Sequence, residues 1–339
     1  MPEQISSNPK IPTLFDHGLN SKTGFLPRNN VASIALPNFY RHWEYLFENL
    51  IPFIRDRTIR TKILELPMFT VDNLETEADW DRAYLVLSFL GQTYIWGDTV
   101  NDEVLTKLPI NISVPWCYIS NRLSLLPIIT YKAVEHFNLV VENPDKPWDI
   151  SNLSMKYTFT GTYDESWFYL ISVAIESEGA KAMQPILDAI DAIEKKDHKT
   201  IHRALKILIE VLVELAVILG KMHLHCNADI FYNRVRPYQT GWENSKHHPE
   251  GVYYEGVPDQ TSPPVPKEGL PKKGSYQKYA GGSAGQSPMI HFLDIVLGVV
   301  HYSTKKPGEE THKKSVYIYE MRKYMSGKQR EFLRRLEEE

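Results

Sequence analysis

The stretch TIHRALKILIEVLVELAVILGKMHLHCN, Thr200 to Asn227, carries the strongest secondary-structure signal in the chain. Leu205, Leu208, Leu212, Leu215, Leu219 and Met222 recur at alternating steps of three and four residues, the period of one helix face. Ile207, Ile209, Val211, Val213 and Ile218 thicken that stripe until the helix is apolar on most sides. Such a helix is expected at the centre of a helical domain, as core and nothing else. Glu210 and Glu214 interrupt it, and no uncharged apolar run reaches the roughly 18 residues of a membrane span.

Other helical patterns lie on both sides. Asn38 to Arg55 places Phe39, Trp43, Leu46, Phe47, Leu50 and Ile54 at helical spacing, with Pro52 set to kink or end the helix. Asp72 to Trp96 and Phe168 to Ala192 are helical, and a last helix is predicted from Ser315 to about Glu339 with Tyr317, Met321, Tyr324 and Phe332 inside. Between them, Lys107 to Tyr131 holds Pro109, Pro115 and Pro127 and reads as short pieces, extended at Val114–Trp116 because proline disfavours helix in the residue before it. Met155 to Thr160 reads as a short strand, residues 142–152 as a connector, and residues 255–277 as a surface loop.

Composition excludes several function classes. Lys+Arg number 38 against Asp+Glu 42, a net charge of −4 over 339 residues, so no nucleic acid or anionic membrane is expected as a partner. Two cysteines give neither a disulfide framework nor a metal knuckle, and the start MPEQISSNPK has no signal-peptide pattern. The expected location is the cytoplasm. The protease, hydrolase and calcium-loop motifs are absent. His223 and His225, two residues apart at a helix end, point to different sides and make no metal pair.

Two segments could carry chemistry. In KYAGGSAGQSPMIHFLDIVL, Lys278 to Leu297, Gly281, Gly282 and Gly285 beside Ser283 free the backbone to adopt φ > 0 and to approach a ligand closely. Ser287-Pro288 then reads as a helix N-cap followed by proline at the first helical position. The second segment, Phe231 to Trp242, joins aromatic rings to arginine. Arg236 suits a carboxylate in bidentate fashion and Phe231 suits a flat ring, a combination that would take an aromatic amino acid. From residue chemistry alone, a structural carboxylate partner for Arg236 is the other reading.

The set FYNRVRPYQTGW, YYEGV, YAGGSAGQSPMIHFLDIVLG and MRKYMSGKQREFL resembles the indoleamine 2,3-dioxygenase family. Upstream, ALPNFYRHW, LVLSFLGQTYIWGD, LPINISVPWCYIS, LLPIITY and WFYLISVAIE agree in the same order, so the resemblance runs from about Gly24 to the last residue. It implies a mainly α fold: a small mixed α/β domain, here 1–155, packed on a larger all-α domain, here 156–339, with haem b between them. It implies a monomeric enzyme that opens the indole ring of L-tryptophan or a related indole with O2, giving N-formylkynurenine. By the same resemblance Arg236 holds the substrate carboxylate, Phe231 and Phe168 pack on the indole, and Tyr131 lines the pocket. Ser172 lies on the distal side of the haem, Gly282 and Ser283 close over substrate and a propionate, and Asp294 has a structural or haem-shell role. The family's iron-ligating histidine lies on a helix beyond the MRKYM segment, past Glu339, so no metal ligand is assigned within this chain. A second class fits the same residues: a relative that keeps the pocket without the haem anchor and acts as a binding or signalling protein.

Overall fold

The computed structural model describes residues 11–28, 30–258, 273–302 and 316–338. Helices dominate it. The first half holds α1 (Arg41–Glu48), α2 (Leu50–Arg55), α3 (Ile59–Leu64), α4 (Glu77–Trp96) and α5 (Ile110–Arg122). Then come α6 (Tyr163–Glu194), α7 (His198–Gly220), α8 (Met222–His225), α9 (Ala228–Ile230) and α10 (Arg236–Gln239). The chain closes with α11 (Pro288–Leu297), α12 (Val316–Met321) and α13 (Gly327–Glu337). Five short strands form two small sheets. β1 (Lys107–Leu108) runs parallel to β4 (Val252–Tyr254), which pairs antiparallel with β5 (Ser275–Gln277). β2 (Leu139–Val141) and β3 (Leu153–Met155) pair antiparallel, with Val140 opposite Ser154.

The central helix is α4, not the one the sequence favoured. Every residue of α4 from Arg82 to Trp96 is buried. Thr76 starts it with a capping box, its side chain accepting from the Asp79 N–H while Asp79 accepts from the Thr76 N–H. Because α4 is covered on all sides, its sequence has no polar stripe, and its Ser88, Gln92 and Thr93 are inside. Among the described residues α7 packs mainly on α6. It buries Ala204, Leu208, Val211, Leu215 and Ile218 and leaves Leu205, Ile209, Val213 and Val217 in solvent, Ile209 and Val213 at 61% exposure. A helix with one main neighbour buries one stripe, however apolar the remainder.

Pro115 does not break its segment. It sits inside α5, whose Ile112, Trp116 and Ile119 are fully buried. A proline removes one backbone hydrogen bond, and burial of these large side chains against α4 and β4 outweighs that loss. The last predicted helix is divided: α12, a 3-10 turn at Arg322–Tyr324 and α13 stand in its place, and Tyr317 is exposed rather than inside. The strand predicted over 155–160 reduces to β3, which ends at Met155. Most of the 255–277 loop, residues 259–272, lies outside the described residues.

Arg82 ties the first helices to α4. It is 1% exposed, donates from Nε and Nη2 to the two oxygens of Glu44 at 2.9 and 2.6 Å, and donates to Ala32 O and Tyr157 OH. Its guanidinium also lies over the rings of Phe47 and Tyr157. A buried charge is tolerated only with this degree of pairing.

Close packing sets a test of the centre. A Cβ on Gly91 of α4 would stand 2.4 Å from the buried Trp116 ring of α5. Gly→Ala inside a helix normally stabilises by about 1 kcal/mol. Here overpacking wins, and Gly91→Ala is expected to lower stability by about 2 kcal/mol in urea unfolding.

Candidate active site

One face of α6 organises the site. Thr162 caps the helix, its hydroxyl accepting from the Glu165 N–H. Glu165, Phe168, Tyr169, Ser172 and Glu176 follow at steps that keep them on one side. Phe168 meets Phe231 with ring centroids 4.4 Å apart. Tyr131 lies along the same face, its hydroxyl donating to Glu176 Oε1 at 3.2 Å and reaching Ser172 O at 3.4 Å. The Ser172 hydroxyl donates to Phe168 O at 3.3 Å, one turn back. Tyr131, Phe168, Ser172 and Phe231 are therefore brought together.

Two π-helical turns deliver residues to this face. Lys132–His136 follows Tyr131, and Phe231–Val235 begins at Phe231 and runs into α10. A π-turn inserts one extra residue into the helical ladder and is frequent at functional sites. On α10, Arg236 is exposed and has no carboxylate partner among the described residues, so the structural-pair reading is not met there. Arg236, Gln239, Gly282 and Ser283 line one cavity of about 570 Å³, together with Lys278 and Lys323 and the acids Glu243 and Glu320.

The Gly/Ser hoop is held tightly at its base. A Cβ on Gly281 would stand 1.9 Å from Gln239 O, and one on Gly241 would stand 2.3 Å from Gly281 N, so the two backbones touch. Gly281 serves this close approach, whereas a Cβ on Gly282 would meet nothing nearer than 3.8 Å. Gly281, Gly282 and Gly285 are not among the positive-φ residues, which corrects one expectation from sequence. Gln286 fastens the hoop twice, accepting from Tyr131 N at 2.9 Å and donating to Gly281 O at 2.7 Å. Ser287 caps α11 as expected, accepting from Ile290 N, and its hydroxyl donates to Glu176 Oε1 at 2.5 Å. Ser283 Oγ accepts from Gly285 N and lies 3.2 Å from the Tyr317 hydroxyl. Asp294, farther along α11, pairs with His301 Nε2 at 2.7 Å.

Three buried carboxyls stand around this face, and the sequence reading assigned none of them to the site. Glu165 accepts from Phe159 N, Thr160 N, Thr160 Oγ1 and Tyr169 OH. Glu176 is fully buried and takes Tyr131 and Ser287 on Oε1. Glu135, on the first π-turn, has a buried Oε2 without a partner. Burial, and then the Glu176 carboxylate, push the Glu135 carboxyl well above the usual carboxylate range. Burial lowers the pKa of His136, whose Nε2 stands 3.9 Å from Glu176 Oε1, beyond hydrogen-bonding distance. A glutamate four residues beyond Ser172, directly after the apolar run Val173–Ile175, is the signal that marks Glu176 in the sequence.

The chemistry of these residues would suit a haem: Phe168 and Phe231 are apolar rings that its plane would meet, and Arg236 and Lys278, on the cavity rimmed by Gly282 and Ser283, are cations its propionates would meet, beside Glu243 and the Lys323–Glu320 pair. Among the described residues no group of three or more His, Cys, Asp or Glu could hold a bare metal ion. No helix among them is long and apolar enough to cross a membrane.

Comparison with known proteins places the chain in one family. The family model described as indoleamine 2,3-dioxygenase matches residues 13–339. Indoleamine 2,3-dioxygenase qulI of Penicillium citrinum is 36% identical over 328 residues, covering 94% of this chain and 68% of its own length. Indoleamine 2,3-dioxygenase 1 of Mus musculus is 31% identical over 321 residues, covering 94% of this chain and 73% of its own. A protein of Fusarium equiseti named 6-hydroxytryptophan 2,3-dioxygenase fscD is 31% identical over 317 residues, covering 93% and 72%.

The tie between α6 and the hoop makes a measurable demand. Replacing Glu176 by Ala strands the Tyr131 and Ser287 hydroxyls in a dry interior. Glu176→Ala is expected to cost about 3 kcal/mol in urea unfolding. It should also speed amide exchange across Gly281–Gly285 in the folded state, whereas loss of stability without faster exchange there would mean that the hoop is held by other contacts.

Proposed function

Because the chain belongs to the indoleamine 2,3-dioxygenase family, whose members depend on haem, we propose that it binds an indole amino acid, L-tryptophan or a close relative, and supports its oxidative ring opening by O2. One relative is named for 6-hydroxytryptophan, so the substrate is best given as a class, the indole amino acids. Haem, when bound, supplies the dioxygen chemistry. The protein's share is to bind, orient and keep water out.

What supports this reading is Arg236, which has no carboxylate partner among the described residues, on a cavity shared with Gly282 and Ser283, next in the chain to a π-turn that begins at Phe231. Such a guanidinium is available for the carboxylate of an amino acid. Phe231 and Phe168 pack on the ring, Tyr131 and Ser172 bound its reacting side, and Gly282 and Ser283 close over it. Ser283 and the nearby lysines would receive the haem propionates. Asp294, paired with His301, acts as a structural residue at the far end of α11. With O2 as oxidant, both oxygen atoms enter the product as the C2–C3 bond of the indole breaks, so no added reductant and no catalytic triad are required. The division into domains at about residue 155 belongs to this same reading.

The test is the visible spectrum of the purified chain incubated with hemin, reduced and exposed to carbon monoxide, then titrated with L-tryptophan. A sharp Soret band that shifts with carbon monoxide and again with L-tryptophan is expected. A spectrum of free hemin, unmoved by L-tryptophan, overturns the reading for this chain. Arg236→Ala should keep the hemin spectrum and weaken the tryptophan response by about 10- to 100-fold in Kd, the worth of a charge-assisted pair.

A further inference from the structure

Among the buried carboxyls on the α6 face, Glu135 differs from Glu165 and Glu176. Glu165 is anchored through both oxygens and Glu176 through Oε1, with its Oε2 left over; Glu135 is 3% exposed, its Oε2 is unpartnered, and it makes no side-chain hydrogen bond to a neighbouring element among the described residues. Glu135 lies one turn beyond Tyr131 on a π-turn that packs on α6. In sequence it falls between Tyr131, whose hydroxyl meets Glu176 Oε1 and Ser172 O, and His136, whose Nε2 stands 3.9 Å from Glu176 Oε1, which sets it on the face of Ser172. Gln239 approaches the same cluster from the other side. It is 6% exposed, its backbone carbonyl touches Gly281 of the hoop that Gln286 fastens to Tyr131, and its Nε2 has no partner in hydrogen-bond geometry. Gln239 also lines the cavity of Arg236, one turn along the same short helix.

We propose that Glu135 and Gln239 form a specificity site for a hydrogen-bonding substituent, a hydroxyl or an amino group, on the ring of the indole substrate. The inference rests on the indole reading given above and narrows it. Arg236 takes the amino-acid end and the two phenylalanines cover the ring, which leaves the far edge of the ring for the remaining polar groups. An acceptor and an amide donor on that edge match a hydroxyl, which donates to one and accepts from the other. An unsubstituted ring leaves both groups dry and unpaired, which is how a buried polar site rejects the analogue lacking the group. Ordered water satisfying both atoms beside any indole is the competing account, and it predicts no discrimination.

The test is calorimetric titration of the full chain, with and without hemin, using L-tryptophan, 5-hydroxy-L-tryptophan and 6-hydroxy-L-tryptophan as probes. At least one hydroxylated probe is expected to bind about tenfold or more tightly than L-tryptophan. Glu135→Gln keeps the side chain's shape and Gln239→Leu lies on a different element, so each checks the other if one fails to fold. Either should pull the affinity ratio toward one. Equal binding of all three probes by the wild-type chain, or a ratio unchanged in both variants, overturns this proposal and leaves the indole reading standing. Binding of no probe under either condition overturns the indole reading, and this one with it.

Discussion

The fully buried carboxylate of Glu176 joins three parts of the chain that are far apart in sequence. It accepts from Tyr131, which leads into the first π-turn, and from Ser287, which caps α11, while α6 carries it. Gln286 adds a second tie between the hoop and Tyr131. A carboxylate removed from water has to be satisfied by specific donors, so these segments have one arrangement that satisfies it. The phenylalanine pair, the hoop and the cavity beside Arg236 are placed relative to each other through that arrangement.

Much of this was legible beforehand. Ser287-Pro288 announced the start of α11 with its cap, and the motif order placed Tyr131, Phe168, Ser172 and Phe231 in one neighbourhood. What misled was apolar content. α7 has the more aliphatic sequence, yet α4 is the helix enclosed on all sides, because enclosure also takes in polar groups that find internal partners. Gln92 reaches Thr240 O, and the Tyr84 hydroxyl reaches Leu126 O. Local rules likewise gave Pro115 too much weight, since they do not register the tertiary burial of Trp116. Arg236 could not be judged from sequence at all. Whether a guanidinium has a partner depends on what folding brings near it.

The buried carboxyls divide by the way they are paired. Glu165 and the Oε1 atom of Glu176 are occupied by protein donors, as buried charges in a settled interior are. Glu135 Oε2, Glu176 Oε2, Gln239 Nε2 and both ring nitrogens of His136 are not. Buried polar atoms without partners are few in folded proteins, and here several collect around one helix face, the face that carries Phe168 and Ser172.

The two π-turns make the site sensitive to residue count as much as to residue identity. Each holds one residue more than an α-helical path would need. Deleting a single residue from Phe231–Val235 would return the backbone to α-helical register and swing everything after it by roughly 100°. Arg236 would then keep its charge and its place in the sequence while pointing away from the cavity. Insertions and deletions at these two points would disable the pocket with every motif residue still present, a kind of damage that substitution scanning does not sample.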